Sequence, residues 1–392
     1  MIDSIFIGMT GLSGYSRGLH VIANNTTNLN TPGFKSSSLN FADAFYSSGG
    51  GGNQFSQLGY GLNTMGTSLS FKPGELRQTG NSLDLAVDGQ GLFRLKDASG
   101  KVAYTRAGQF EFNKDGVLVS KTTGAKVLGV DANGNEGPIT ISGFSTMAGK
   151  ASTSLKFSGN LSSDATTPQT VSGVTVVDAA GGTHSLSARF TNTNATAPGS
   201  WSVELLDGTT VVGTGQLIFA NGKPTAATST VSMTYTPSGQ AAIPLTLDFG
   251  TDVTSYAGGS LSTLAFGSTD GYSPANLSST SFDAAGTLVM TYANGQKVNG
   301  SKLSLGRFDS PQAVRSIGDN QFESTDDGAW HVGNAGGAFG SVRSGYIEIS
   351  NVDLSQEFSD LVIMQRGYQA SSQIVSTANE MLQELFAMKK GG

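Results

Sequence analysis

Residues 353–390 read DLSQEFSDLVIMQRGYQASSQIVSTANEMLQELFAMKK, an uninterrupted run without proline. Within it Leu354, Phe358, Leu361, Gln365, Tyr368, Ser372, Val375, Asn379, Leu382 and Phe386 alternate spacings of four and three, the period of one helix face. A second stripe, Ile363, Ala370, Ile374, Ala378, Met381 and Leu385, runs beside the first. Asp353 stands where an N-cap belongs, with Gln356 three residues on, a capping-box arrangement. The spacing predicts one long helix. Its first seam carries Gln365, Ser372 and Asn379 seven residues apart, and polar seam positions specify register and partner number at a cost in stability.

The other end of the chain answers this pattern. Ile2, Ile5, Met9, Leu12, Ser16, Leu19 and Ala23 follow the same spacing and predict a helix that stops near Asn24-Asn25. Thr31-Pro32-Gly33 forbids its continuation. The two helices could pack on each other within one molecule. No other strong helix is available to cover the remaining apolar face, so packing between subunits accounts for the pattern better. The residues expected at such contacts are Ile2, Ile5, Met9, Leu12 and Leu19 from the first helix. From the second they are Leu354, Phe358, Leu361, Tyr368, Val375, Leu382 and Phe386.

Everything between the helices reads as β. Lys114-Asp115-Gly116 before Val117, Leu118 and Val119 is a hairpin signal. Val171–Val177, Trp201–Leu206, Gln216–Phe219, Val231–Tyr235 and Leu245–Phe249 are strand-like, punctuated by Asp207-Gly208, Asn221-Gly222 and Ser238-Gly239. Short strands at such spacing suggest sandwiches or small barrels. Residues 35–72, with Gly49–Gly52 consecutive, read as an extended linker. Residues 151–296 hold three basic side chains (Lys156, Arg189, Lys223) against eight acidic ones, which marks an inserted, outward-facing β domain. The expected organisation is multidomain α+β, mainly β. A terminal helical, coiled-coil-like inner domain takes residues 1–34 and 350–392, and 35–72 form the linker. A split β core takes 73–146 and 285–349, and the inserted outer β domain takes 147–284.

Composition excludes much chemistry. The chain has no cysteine, three histidines far apart in sequence and 54 glycines in 392 residues, about twice the usual share. It offers no thiolate zinc site, no cysteine nucleophile and no HExxH pair. Charged residues are 13 % and the net charge is −6, which argues against nucleic-acid binding. Residues 1–22 lack a basic n-region, and Ser4, Gly8, Thr10 and Ser13 interrupt their apolar run, so neither a cleaved signal nor a membrane span is expected. Yet the weakly acidic, cysteine-free, Gly-rich composition suits an exported surface protein.

Candidate sites reduce to turns. Asp131-Ala132-Asn133-Gly134-Asn135 begins like a calcium loop, but Glu136 and Ser142 occupy the positions where Gly and Glu are required. Gly89-Gln90-Gly91 lacks the third glycine and the helix of a dinucleotide site. Asp326-Asp327-Gly328 reads as a solvated turn, and no GxSxG elbow occurs. No catalytic residue, cofactor or metal is expected.

Several motifs resemble flagellar rod and hook proteins. Asn24-Asn25-Thr26-Thr27-Asn28-Leu29-Asn30-Thr31-Pro32-Gly33-Phe34-Lys35 looks like that family's N-terminal signature, with Thr26-Thr27 in place of the usual Ile-Ala. Asn351-Val352-Asp353-Leu354 and Gln365-Arg366-Gly367-Tyr368-Gln369-Ala370 resemble its C-terminal signature. Thr79–Gly91 (TGNSLDLAVDGQG) and Tyr104–Gly108 (YTRAG) are similar to its core-domain motifs. Phe282–Gln296 and Leu305–Ala313, together with the large insertion, resemble the hook members rather than the shorter rod members.

The resemblance implies a structural subunit that assembles into a helical tube. The tube is a flexible universal joint with a central export channel, transmitting torque from rod to filament. In the family both terminal helices form the inner tube and the β domains lie outside. Partners implied are further copies of the chain, the distal rod, the hook cap, the hook–filament junction proteins and the type III export apparatus, with no membrane insertion. The implied location is extracellular, in the flagellum, reached without a cleaved signal peptide. The rivals are a distal rod subunit, which would be straight and rigid, and a secreted β-rich adhesin, which leaves the seam helices unexplained.

Overall fold

The structure is a computed structural model that describes residues 2–49 and 56–390; Gly50, Gly51 and Gly52 of the glycine run lie outside the described residues. The chain divides into two compact units. One comprises residues 1–142, 280–290 and 298–392, and the other comprises 143–279 and 291–297.

The first unit holds both helices, α1 (Ile2–Thr27) and α2 (Leu354–Lys390). α1 runs past Asn24-Asn25, where the sequence suggested a stop. The Asn24 carbonyl accepts both the backbone N–H (3.3 Å) and the side-chain amide (2.9 Å) of Asn28, so the last turn closes on Asn28. Asp353 caps α2 through Oδ1, which accepts from Ser355 N at 2.9 Å and Gln356 N at 3.2 Å. The capping box is only half made. The Gln356 side chain reaches forward to Asp360 Oδ1 at 3.0 Å instead of back to Asp353.

Within the stretch read as a linker, the described residues include two paired ladders. Ser37–Asp43 pairs antiparallel with Leu62–Leu69, and Tyr46–Gly49 with Ser56–Gly59. Leu76–Gln78 pairs with Tyr346–Glu348, and Leu85–Asp88 with Ser341–Ser344, so the two ends of the sequence share ladders. The hairpin at 113–117 forms. Asn113 Oδ1 accepts from Asp115 N and Val117 N, Gly116 takes φ +73°, and Phe110–Phe112 pairs with Leu118–Ser120. A cluster of Leu92, Tyr104, Val314, Phe322 and Trp330 is sealed by Phe71 and Phe308. The Tyr104 and Trp330 rings stack at 3.8 Å.

The second unit is built from two sheets around one core. An antiparallel meander joins Gln169–Val177, Thr183–Asn192, Ser200–Asp207 and Thr210–Ala220 in sequence order. In the other sheet Ser154–Asn160 lies parallel to Ile243–Asp248 and antiparallel to Ala265–Thr269. Alternation along Thr230–Tyr235 (exposed, buried, exposed, buried) is the mark of a strand with one face on a core. Trp201, Phe157, Phe190 and Phe249 fill that core. Gly213 and Gly215 let the sheets approach: a Cβ at Gly213 would stand 3.1 Å from Met233 Sδ.

Candidate assembly surface and its buried anchor

The face that joins α1 to α2 is made of glycine. Gly8, Gly11, Gly14 and Gly18 are the buried positions along the first five turns of α1. A Cβ at Gly8 would lie 2.6 Å from Val375 Cγ2, at Gly11 2.5 Å from Ser371 Oγ and at Gly18 2.8 Å from Met364 Sδ. Gly14 faces away from α2, toward Leu62 and Phe41 of the 37–69 ribbon. From the other side, a Cβ at Gly367 would lie 2.5 Å from the Tyr15 ring. The α2 stripe in contact therefore includes Met364, Gly367, Ser371 and Val375, and only Val375 belongs to the first seam read from the sequence.

That arrangement leaves the predicted seams largely uncovered. Ile2 is 77 % exposed, Met9 58 % and Phe386 64 %. Leu354, Phe358 and Tyr368 are also exposed, as are Ile363, Ile374, Met381 and Leu385 of the second stripe. Ile5, Leu12, Leu19, Leu361, Val375 and Leu382 are half-buried. Ser4, Ala370, Gln373, Ile374, Thr377, Ala378 and Met381 line an open hollow of about 520 Å³ between the helices. The helices thus pair within one chain, and an apolar face remains exposed on both.

Sequence reasoning missed the glycine stripe because it followed apolar residues. The signal was present: glycine costs about 1 kcal/mol at each helix-interior position relative to alanine, so four at helical spacing need a steric reason.

The motif residues gather where the helices meet the β part of the same unit. Lys35 Nζ donates to Glu348 Oε1 at 2.5 Å and to the Lys72 carbonyl at 2.8 Å. Arg106 Nη1 donates to Glu348 Oε2 at 2.9 Å and to the Val87 carbonyl at 2.8 Å. Gly74 N adds a third donor to Glu348, at 2.9 Å. Burial lowers the pKa of Lys35, and the Glu348 carboxylate opposes that while Arg106 adds to it. Burial likewise lowers the pKa of Arg106 against the pull of Glu348. One carboxylate thus holds two buried cations.

Around this anchor several motif residues have a task. Gly33 (φ +72°) donates its N–H to the Glu348 carbonyl at 2.8 Å, and a Cβ there would collide with the Arg106–Ala107 peptide. Asn351 Oδ1 accepts from Ser36 N (2.8 Å), while its amide donates to the Ser70 (2.7 Å) and Lys72 carbonyls. Asn25, 1 % exposed, donates to Glu357 Oε1 at 2.8 Å and to the Ser37 carbonyl at 2.7 Å. Burial raises the Glu357 pKa, the Asn25 bond opposes it, and Asp360 and Asp353 add to the rise. Asn24, Asn30, Gln365 and Arg366 are exposed, and Phe34 is half-buried. Those four exposed positions are not drawn into the anchor. Of its charged centre, Arg106 stood in the core motif Tyr104–Gly108 without an assigned role, and Glu348 was outside the predicted set.

The candidate chemistry resolves into turns. Asp131 Oδ1 accepts from Asn133 N and Asn135 N, both at 2.8 Å, which uses the carboxylate within its own hairpin. Among the described residues no helix is long and apolar enough to cross a membrane.

Two family models match the chain, and both describe flagellar rod and hook proteins. The "Flagellar hook protein FlgE/F/G D1 domain" matches residues 86–179, and the "Flagellar basal body rod FlgEFG protein C-terminal" matches residues 343–388. The flagellar hook protein FlgE of Salmonella typhimurium is 31 % identical, over 97 % of this chain and 98 % of the relative. That of Borreliella burgdorferi is 29 % identical, over 99 % and 100 %. The crystal structure of Helicobacter pylori flagellar hook protein FlgE2 shares the fold, with TM-score 0.52 and 15 % identity over 71 % of this chain and 100 % of that one. The chain belongs to the flagellar hook protein FlgE family.

Proposed function

We propose that this chain is the structural subunit of a bacterial flagellar hook, one that polymerises into a helical tube. The observation that carries the proposal is the apolar face left on both terminal helices, in a chain collinear with hook relatives over 97 % of its length. A contact between different patches on successive copies generates an open helical filament wherever its rotation does not close into a ring. The terminal segments 1–34 and 350–392 form a coiled-coil-like inner tube around an export channel. The seam residues from Ile2 to Phe386 meet neighbouring copies there. The split core, 73–146 and 285–349, surrounds that tube, and 147–284 is the inserted outer domain. The polymer acts as the universal joint between rod and filament. Its partners are the distal rod, the hook cap, the junction proteins and the type III export apparatus, and it works outside the cell, in the flagellum. The subunit performs no catalysis.

The test is electron microscopy of purified protein induced to polymerise. Curved tubes with an axial channel are expected. Straight rigid rods would favour the distal-rod reading, and failure to form any ordered polymer would favour the adhesin.

A further inference from the structure

Four Asn-Gly dipeptides occur in the chain, at Asn133, Asn221, Asn294 and Asn299. From their different surroundings we infer that Asn221 is a site of spontaneous, fold-directed deamidation. In this reaction the backbone nitrogen of the following glycine attacks the asparagine side-chain carbonyl carbon. The nitrogen loses its proton and the side-chain amide leaves as ammonia, closing a succinimide ring. Water then opens the ring at either carbonyl, giving aspartate or isoaspartate. The net change is one water consumed and one ammonia released, with no oxidant or cofactor. The step needs a glycine N–H without a hydrogen-bond acceptor, a side-chain amide free to swing, and a field that tolerates negative charge on nitrogen.

Three of the sites fail on these terms. At Asn294 the side-chain amide donates to the Ser273 carbonyl at 2.8 Å, its Oδ1 accepts from Gln296 N at 3.1 Å, and Gly295 N donates to Tyr292 O at 2.9 Å. At Asn133 the next N–H, from Gly134, donates to Asp131 O at 3.1 Å, and the carboxylates of Asp131 and Glu136 flank the turn in sequence. Like charges there disfavour an amide anion. Asn299 and Gly300 lie within the strand Lys297–Phe308, whose pairing with Thr287–Tyr292 holds their backbone extended in a ladder.

Asn221 differs in its hydrogen bonding and in the charge beside it. It leads the two-residue tip between Thr210–Ala220 and Lys223–Pro224, with Ala220 opposite Lys223; Asn221 is exposed, and Gly222 is half-buried against the Tyr256 ring. Both tip residues have positive φ, +52° at Asn221 and +77° at Gly222, the turn for which Asn-Gly is the favoured sequence. Neither the Asn221 side chain nor Gly222 N makes a hydrogen bond among the described residues. The contacts that hold the tip go through carbonyls: Gly222 O accepts from Ser255 N at 2.9 Å, and Asn221 O accepts a long 3.4 Å bond from Tyr256 Oη. The peptide nitrogen is left to react. Lys223 follows immediately, and its exposed cation favours the deprotonated nitrogen.

The experiment ages the full-length native protein at mildly alkaline pH and 37 °C and maps all four peptides by mass spectrometry. A parallel sample is aged unfolded in guanidinium chloride. In the native sample the Asn221 peptide should convert several-fold faster than the other three, and in the unfolded sample that lead should disappear. The inference is overturned if another site leads in the native protein, if Asn221 does not convert, or if its lead persists after unfolding, since sequence alone would then set the rate.

Discussion

Lys35 and Glu348 are separated by 313 positions in sequence and 2.5 Å in space, and their side chains are 0 % and 1 % exposed. Arg106, 2.9 Å from the other carboxylate oxygen, makes the group a buried triad with one anion and two cations. Its members are therefore not equivalent.

Glu348→Gln should be more harmful than Lys35→Met. The first change strands two buried cations, and breaking a buried pair by removing one partner costs about 3–5 kcal/mol. The second leaves Arg106 and Glu348 as a matched pair and loses two charged hydrogen bonds, at about 1.5–3 kcal/mol each, offset in part because the buried ammonium and its desolvation cost go with them. Denaturant unfolding of the two variants checks the order. Equal losses would mean that Lys35 is as necessary to the triad as the carboxylate.

Gly11→Ala should weaken the α1–α2 contact even though alanine is the better helix former. A methyl group 2.5 Å from Ser371 Oγ forces the helices apart. Adding Ser371→Gly should restore the contact, so the double variant should outperform the sum of the singles. Hydrogen exchange of residues 2–27 supplies the readout, and strictly additive effects would show that the two residues do not meet.

Glu357 sets a pH dependence with a definite sign. Burial, with the charges of Asp360 and Asp353, raises its pKa in the folded state above 4.5, against the opposing hydrogen bond from Asn25. The folded form then binds the proton more tightly than the unfolded form, so stability falls as pH rises from 4.5 through the raised value. Glu357→Gln should remove that fall and stabilise the neutral-pH protein, because the glutamine carbonyl still accepts from Asn25. Melting temperatures of both proteins across the window test this. An unchanged slope in the variant would assign the titration to another group.

Phe358→Asp should abolish polymerisation while leaving the melting of the isolated subunit almost unchanged. Phe358 is 55 % exposed in the chain, so the charge stays hydrated until a neighbour covers it. Buried there without a partner, a carboxylate costs at least several kcal/mol, repeated at every subunit. Normal tubes from this variant would remove Phe358 from the subunit contact.

The two helices and the strands of the second unit were legible because their residues repeat with a period. Val171–Val177 and Val231–Tyr235 alternate in sequence and lie in Gln169–Val177 and Thr230–Tyr235 in the structure. The paired strands Ser37–Asp43 and Leu62–Leu69 were not legible, because their apolar residues do not keep to one face: Leu39, Leu62 and Leu69 are half-buried while Phe41 and Met65 are exposed, and Ser37–Asp43 contains no buried residue. The anchor was half legible. Lys35 and Asn25 came from the family motif, but no local pattern could pair Lys35 with a glutamate 313 positions away. Asn351 and Asp353 were named, yet one is a ladder clamp and the other a helix cap, roles that only hydrogen-bond geometry separates.

The glycine face of α1 sets an order of events. Four glycines subtract about 4 kcal/mol of intrinsic helix propensity from a 26-residue segment, and isolated helices are marginal in water even without that handicap. α2 is 37 residues long and carries a single glycine before its last residues. It can therefore act as the template, and α1 as the follower that becomes helical by docking along it. A helix of this kind is a conditional element: its shape is information held by its partner, delivered only when the two ends of one polypeptide find each other.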